Sequence, residues 1–360
     1  MRYSTSIMVN GRMIDICSPS YFVADIASNH NGDLSAAKEL IWLAKEAGAD
    51  AVKFQHFLAD KIVSEYGFKQ LGTQFGHQAK WKKSVFETYK EAELNRDWNE
   101  ELAEESRKAK IDYFTSPYDF QAIEILNNYI PVYKIGSGDI TWLDFIEYIA
   151  KKCKPVMLAS GASQMWEVEQ AVDVILRYNP DIILMQCNTN YTGELENFKY
   201  MNLNVLKTYA VRYPGMLLGL SDHTPGHATV LGAIALGARV IEKHFTADNN
   251  QEGPDHAFSM NPKTWKEMVN RARELELAFG TGMKVVEKNE EETVVLQRRA
   301  VRVKKNVAAG TIITDDILEE LRPAPKDAIF PYQKGLILGK KIMVDKEKGD
   351  YIRINEVEEN

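Results

Sequence analysis

Two apolar runs in this 360-residue chain end abruptly in histidine: Gly219-Leu220-Ser221-Asp222-His223 and Val240-Ile241-Glu242-Lys243-His244. Two neutral imidazoles converging on one point can hold a divalent metal, a Lewis acid for a carbonyl or phosphoryl oxygen. They converge only if the elements carrying them are neighbours. Met216–Leu220 and Ala238–Ile241 read as fully buried parallel strands, and Ala228–Leu236 between them is small and apolar at helical spacing. That is one strand–helix–strand unit. It brings both histidines to the carboxyl rim of a parallel sheet, where the chemistry of such sheets resides.

The pattern extends in both directions. Tyr21–Ser28, Ala51–Gln55, Asp112–Ser116, Val132–Gly136, Pro155–Ser160 and Ile182–Cys187 read as earlier strands. Helical periodicity fills the intervals at Ser35–Ala47, Asp97–Lys110, Asp119–Asn127, Trp142–Lys151, Ser163–Tyr178 and Asn202–Tyr209, and Pro262–Phe279 follows the last strand. Eight such units over about 260 residues predict an α/β fold, a closed (β/α)8 TIM barrel. A polar insertion from Phe57 to Lys90, with Phe75 and Trp81, follows the second strand, where it could wall a substrate site. After Phe279-Gly280 the periodicity stops. The predicted division is an N-terminal extension (1–17), the barrel (18–283), a charge-rich linker (284–297) and a small β-rich module (298–360). Strand-like pieces in that module are Ala300–Val303, Ile312–Asp315, Gly339–Val344 and Tyr351–Ile354.

In such a barrel the polar residues that close each strand face one mouth. In chain order they are Asp25 with Asn29-His30-Asn31, then Lys53 and Gln55, then Thr115 and Ser116. Lys134 with Ser137 and Asp139 follows, then Ser160-Gly161, then Asn188, Thr189 and Tyr191. Ser221, Asp222, His223, Glu242 and His244 close the last two strands, and Asp255-His256 lies in the loop beyond. Two buried-side lysines among hydroxyls and glycine-rich turns suit a small, multiply anionic ligand. Lysine here could equally serve as a structural partner of a barrel carboxylate, and His30 and Asn31 could simply shape the first loop. The formal net charge of −7 excludes nucleic acid as the main partner. Three widely spaced cysteines form no disulfide framework and suit a reducing compartment. With no signal-peptide core and no membrane-length apolar run, the expectation is a cytoplasmic protein without a membrane partner.

Several of these segments are together similar to the sialic acid synthase family, whose members make N-acetylneuraminate, legionaminate or pseudaminate. They are Asn29-His30-Asn31-Gly32, Ala51-Val52-Lys53-Phe54-Gln55, Lys134-Ile135-Gly136-Ser137-Gly138, Ser221-Asp222-His223-Thr224, Glu242-Lys243-His244-Phe245 and Gly253-Pro254-Asp255-His256. The C-terminal Ala308-Ala309-Gly310 and Leu321-Arg322-Pro323 resemble the antifreeze-like (SAF, β-clip) domain that ends those enzymes. The resemblance implies a metal-dependent transferase. It condenses phosphoenolpyruvate with an N-acylated hexosamine aldehyde and water, and releases phosphate. The acceptor would be N-acetylmannosamine or a 2,4-diacetamido-trideoxyhexose.

By the same resemblance His223 and His244 hold the metal, Mn²⁺ first, with Mg²⁺ or Co²⁺ as alternatives. Lys53, Lys134, Ser137 and Ser221 hold phosphoenolpyruvate, with Gln55, Ser116, Ser160, Thr189, Tyr191 and Glu242 as further substrate contacts. Asp25, Asp139 and Asp255 are catalytic carboxylates. Arg322 reaches a neighbouring barrel in a domain-swapped homodimer. Two departures stand out: the family commonly has Glu where this chain has Asp25 and Asp139. Each change withdraws a carboxylate by one methylene, about 1.5 Å. Many neuraminate synthases also carry Asn where Thr189 stands. Competing readings are a Schiff-base aldolase using Lys134 and a catalytically inactive sugar-binding relative.

Overall fold

A computed structural model describes residues 3–73 and 76–359, the side chains of 77 and 80 aside, so Phe75 of the insertion lies outside the described residues. The chain divides into two compact units, Met1–Phe279 and Gly280–Asn360. In the first unit β1 (Ser6–Val9) and β2 (Arg12–Asp15) form an antiparallel hairpin with Val9 opposite Arg12. Asn10 and Gly11 make its two-residue turn with φ of 44° and 83°, the left-handed pair such a hairpin needs. The hairpin buries Ile7, Val9 and Ile14 in the same core as the barrel.

Eight parallel strands close the barrel: β3 (Tyr21–Ala27), β4 (Ala51–His56), β5 (Asp112–Pro117), β6 (Tyr133–Ile135), β7 (Val156–Ala159), β8 (Ile182–Cys187), β9 (Leu217–Asp222) and β10 (Ala238–His244). They pair in chain order, and β10 returns to β3. The predicted barrel is therefore the observed one. All residues of β3, β7, β8 and β9 are buried because one face looks into the barrel and the other onto helices.

The helices follow from caps and stripes. Asp33 accepts hydrogen bonds from Ser35 and Ala36 N–H to start α1 (Leu34–Glu46), whose buried stripe is Ala37, Leu40, Ile41 and Ala44. The insertion folds as α2 (Ala59–Ile62), α3 (Glu65–Gln70) and α4 (Val85–Ala92). Around the barrel come α5 (Asn99–Ala109), α6 (Phe120–Leu126), α7 (Leu143–Ala150), α8 (Met165–Leu176), α9 (Val205–Arg212), α10 (Ala228–Ala235) and α11 (Pro262–Ala278). Asn261 caps α11 with Pro262 at its first position, and Trp265, Met268, Val269 and Ala272 face inward.

The second unit holds α12 (Glu291–Gln297) and the antiparallel pair β11 (Ala300–Val303) and β12 (Leu318–Leu321). Isolated bridges such as Ile312↔Lys341 and Arg302↔Tyr351 knit the remaining extended segments. Its core is aliphatic, with Val301, Val303, Ile313, Ile337, Ile342 and Ile352 all buried. No helix among the described residues is long and apolar enough to cross a membrane.

Candidate active site

Strand register builds the site. His244 pairs laterally with Asp25, and Asp25 with Lys53, so three adjacent strands set these side chains in one row. Glu242 pairs with Ser221 two residues earlier on β10. The row becomes a buried ionic cluster. Lys53 Nζ donates to Asp25 Oδ2 at 2.7 Å and lies 3.4 Å from Ser116 Oγ and 3.6 Å from Glu242 Oε1. Lys134 Nζ is 3.2 Å from the same Glu242 oxygen, which Ser221 Oγ also approaches at 3.3 Å. Gln55 Nε2 donates to Asp25 Oδ2 at 3.2 Å.

Two ammonium groups and two carboxylates thus compensate one another with exposures of only 2–4%. Burial works against the Lys53 charge. Asp25 and Glu242 outweigh it and raise its pKa above the ordinary lysine value. Lysines held charged and out of water at one end of a barrel form a receptor for an anion, provided the resident carboxylates yield.

The imidazoles of His223 and His244 lie beside this cluster with ring centroids 5.3 Å apart. Tyr191 packs 4.3 Å from His223 and Phe258 4.9 Å from His244. His223 Nδ1 donates to the Asn188 carbonyl at 3.0 Å, and although burial opposes the charge, Cys187 and that carbonyl raise the His223 pKa above its ordinary value. Burial, with His223 and Lys53 nearby, holds the His244 pKa well below its ordinary value, so this ring is neutral. Its Nδ1 is buried without a hydrogen-bond partner, and Asp255 Oδ2 stands 4.0 Å away. The neutral His244 ring with its orphaned nitrogen, beside His223, fits a divalent ion. Among the described residues, however, no three His, Cys, Asp or Glu side chains gather to hold a metal by themselves. Such an ion would need oxygen ligands from substrate or water.

A cavity of about 400 Å³ adjoins both groups. Gln55, Ser137, Asp139, Thr189, Tyr191 and Asp255 line it together with His244. Burial pushes the Asp139 carboxyl up to about 6. Burial, with Asp25 adding, takes Asp255 to about 7. Gly161 is required where it stands. A Cβ there would collide with Thr189 Oγ1 and lie 2.8 Å from Ser137 Oγ and 3.1 Å from Cys187 Sγ.

Some residues expected at the mouth are elsewhere. Strand alternation turns Asp222 and Thr115 to the outer face. Asp222 pairs there with Lys243 at 2.5 Å, and Thr115 bonds His56 and the Phe54 carbonyl. His30 is packed against Phe54 and Trp98, its pKa lowered to about 4 by burial. Asn31 and His256 bond one another at 3.1 Å and shape loops. Ser160 is buried, donating to the Met185 carbonyl and accepting from Tyr209 OH at 2.8 Å. Arg322, expected to serve a neighbouring copy rather than its own barrel, is exposed in the second unit, with Nε donating to the Gln297 carbonyl at 2.7 Å.

Conversely, Tyr118 and Phe258 belong to the site without having been singled out in the sequence, whereas Phe57 and Tyr89 come from the insertion expected to wall it. Of the first two, only Tyr118 carried a signal, being two residues beyond inward-facing Ser116.

With this geometry in hand, the relatives become informative. Residues 40–284 match the NeuB family and residues 298–358 match the SAF domain. The N,N'-diacetyllegionaminic acid synthase of Campylobacter jejuni is 33% identical, over 92% of this chain and 98% of that protein. The human N-acetylneuraminate-9-phosphate synthase is 32% identical, over 95% of this chain and 94% of that protein. A crystal structure of N-acetylneuraminic acid synthetase from Leptospira borgpetersenii, in complex with citrate, superposes with a TM-score of 0.70 at 27% identity. It covers 81% of this chain and 96% of its own. Barrel, C-terminal unit and full-length similarity agree, and the chain belongs to the NeuB family of sialic-acid-type synthases.

Proposed function

We propose that this chain condenses phosphoenolpyruvate with an N-acylated hexosamine aldehyde and water, releasing phosphate and a nonulosonic acid. The observation that carries this reading is the buried Lys53–Lys134 pair beside serine hydroxyls, next to a sugar-sized cavity that carries His244. Lys53 and Lys134, with Ser116, Ser137 and Ser221, take the phosphate and carboxylate of phosphoenolpyruvate. Asp25 and Glu242, released from the lysines, face the cationic character that develops at C2. Gln55, Thr189 and Tyr191 hold the acceptor's polar groups.

His223 and His244 would hold a divalent ion, Mn²⁺ in this reading, whose chemistry when bound is Lewis-acid polarisation of the aldehyde oxygen. Phosphoenolpyruvate C3 bonds to the aldehyde carbon, water adds to C2, and the C2–O bond to phosphate breaks. Asp139, ionised above about pH 6, takes a proton from the adding water. The two water protons end on the new alcohol and on the departing phosphate, which balances the reaction. A homodimer in which Arg322 serves a neighbouring copy belongs to the same reading, and sedimentation of the full chain tests it.

Phosphate release from phosphoenolpyruvate with Mn²⁺ and N-acetylmannosamine or a 2,4-diacetamido-2,4,6-trideoxyhexose is the direct test. Release that requires a sugar and stops with chelator supports the reading. Borohydride trapping of pyruvate on Lys134 would instead establish a Schiff-base aldolase.

A further inference from the structure

The loop from β10 to α11 carries Asp255 and Phe258 to His244, Asp255 Oδ2 lying 4.0 Å from Nδ1 and the Phe258 ring 4.9 Å from the imidazole. Its regular structure is one short turn of helix, His256–Phe258. Between Thr246 and Ser259 the buried side chains are those two and His256, all polar. No apolar core holds this loop. A hydrogen-bonded one does, and His256, only 1% exposed, is at its centre. Its Nε2 lies 3.1 Å from Asn31 Oδ1 and its Nδ1 2.7 Å from Thr246 Oγ1. Asn31 turns its amide nitrogen to Gln251 Oε1 at 3.3 Å, so its oxygen faces the ring and accepts from Nε2–H, and the Thr246 hydroxyl donates to Nδ1. Burial, against the pull of Asp248, lowers the His256 pKa and keeps this tautomer neutral.

The ring thereby ties two loops, because Asn31 belongs to the turn after β3. Other bonds follow the same seam. Asn29 Nδ2 donates to the Phe245 carbonyl at 2.9 Å and to Ser259 Oγ at 3.0 Å, and the Ser28 N–H bonds the Asp255 carboxyl. Asn249 Nδ2 holds the His256 and Ser259 carbonyls at 2.9 and 2.6 Å. Gly253 crosses over the imidazole so closely that a Cβ there would sit 2.6 Å from His256 Cδ2 and 3.2 Å from Asn31 Oδ1.

We propose that His256 is a positioning residue: by stitching the loop after β10 to the turn after β3, it fixes the Asp255 carboxyl in the wall of the acceptor cavity. The proposal rests on the reading of the site as a phosphoenolpyruvate-dependent synthase and deepens it. His256 does not line the cavity, whereas Asp255 does, so the imidazole acts through its neighbour. Lys53 and Lys134 are placed by strand register and by Asp25 and Glu242, and owe nothing to this loop. A defect at His256 therefore falls on the acceptor and spares phosphoenolpyruvate. Losing both ring bonds frees the carboxyl to shift by about 1 Å, a displacement worth roughly 100-fold in rate.

The test is a double-mutant cycle on the full chain, read as phosphate release with Mn²⁺, phosphoenolpyruvate and N-acetylmannosamine or 2,4-diacetamido-2,4,6-trideoxymannose. His256→Phe keeps a buried ring and removes both bonds. It should lower kcat/KM for the sugar about 100-fold while the KM for phosphoenolpyruvate stays within about twofold. Asp255→Asn should show the same split, and the double variant should be no worse than Asp255→Asn alone, because the effect of His256 passes through that carboxyl. Gly253→Ala presses on the ring without removing it and should lower sugar kcat/KM by about tenfold, with the same non-additivity toward Asp255→Asn. Urea unfolding checks each variant, and Gly253→Ala carries the cycle if His256→Phe does not fold.

Penalties that add in the cycle overturn the proposal while leaving the synthase reading intact. So does a KM for phosphoenolpyruvate that rises as much as that for the sugar, or sugar kinetics unchanged in a folded His256→Phe. A native chain that neither turns over nor binds either sugar overturns the synthase reading, and the proposal with it.

Discussion

The ion pair Asp222–Lys243 should be the clamp that fixes the distance between the two site histidines. Asp222 and Lys243 are lateral partners on β9 and β10, each one residue from a site imidazole. Their side chains are 0% and 2% exposed. Removing one member of a buried pair strands the other charge and costs about 3–5 kcal/mol. The two single changes should differ. In Lys243→Met, Asp222 keeps Thr224 N–H at 3.0 Å, Thr224 Oγ1 at 2.9 Å and Thr229 Oγ1 at 2.6 Å, which places the loss at about 3 kcal/mol. In Asp222→Asn, Lys243 keeps the Thr224 carbonyl at 2.5 Å and at most a neutral amide oxygen in place of the carboxylate, and the loss approaches about 5 kcal/mol. The double variant buries no net charge and should lose about 2 kcal/mol, far less than the sum. Urea unfolding followed by tryptophan fluorescence reads the barrel alone, because all six tryptophans lie within residues 42–265. A loss under about 1 kcal/mol for Lys243→Met, or additive single costs, would refute the clamp.

Other outcomes follow from the site. The raised Asp139 pKa puts an acid limb near pH 6 in kcat/KM for phosphate release, with activity falling as pH drops, and Asp139→Asn should remove that limb with most of the activity. Because the folded pKa lies above the ordinary 3.8, this carboxylate opposes folding at neutral pH, and stability rises as pH falls through about 6. Asp139→Asn should therefore stabilise the barrel at pH 7, by about 1–2 kcal/mol after discounting for partial exposure. Gly161→Ala should leave the circular dichroism of a folded barrel yet lower kcat/KM at least about 100-fold, because Thr189 and Ser137 must both move. Mn²⁺ should bind the free chain weakly by calorimetry and about tenfold more tightly with acceptor present, and His244→Asn should abolish both heats.

Much of the architecture was legible because burial on both faces leaves its mark on each strand. The runs at Tyr21–Ala27 and Ile182–Cys187 are apolar throughout, as only a strand between barrel interior and helices needs to be. Residues near strand ends were less secure. Collecting every polar residue at a strand terminus ignored the two-residue period, and Asp222 and Thr115 were assigned to the mouth although their inward neighbours were Ser221, His223 and Ser116. The insertion after the second strand was legible as a wall of the site, but which of its rings meet was not. Phe57, Trp81 and Tyr89 sit on short helices and turns whose spacing has no period, and they meet only through tertiary packing.

Asp25 shows how a departure from a family pattern acquires a physical reason only in three dimensions. From the sequence, Asp in place of Glu looked like a withdrawn carboxylate. In the fold, β3 shifts register against β4 between Asp25 and Ala27, and Ala27 has a φ of 47°. Asp25 Oδ1 accepts the Ala27 N–H at 3.0 Å, a local bond that a short side chain makes to its own backbone two residues on. Its other oxygen still holds Lys53 at 2.7 Å and Gln55 at 3.2 Å and lies 3.4 Å from His244 Nε2. One carboxylate thus fastens the bulge that ends the strand and reaches the lysine and both neighbours across the row. A glutamate, one methylene longer by about 1.5 Å, would reach the row only by giving up the bond to Ala27. The shorter residue is matched to the bulge, and both of its carboxylate oxygens are used.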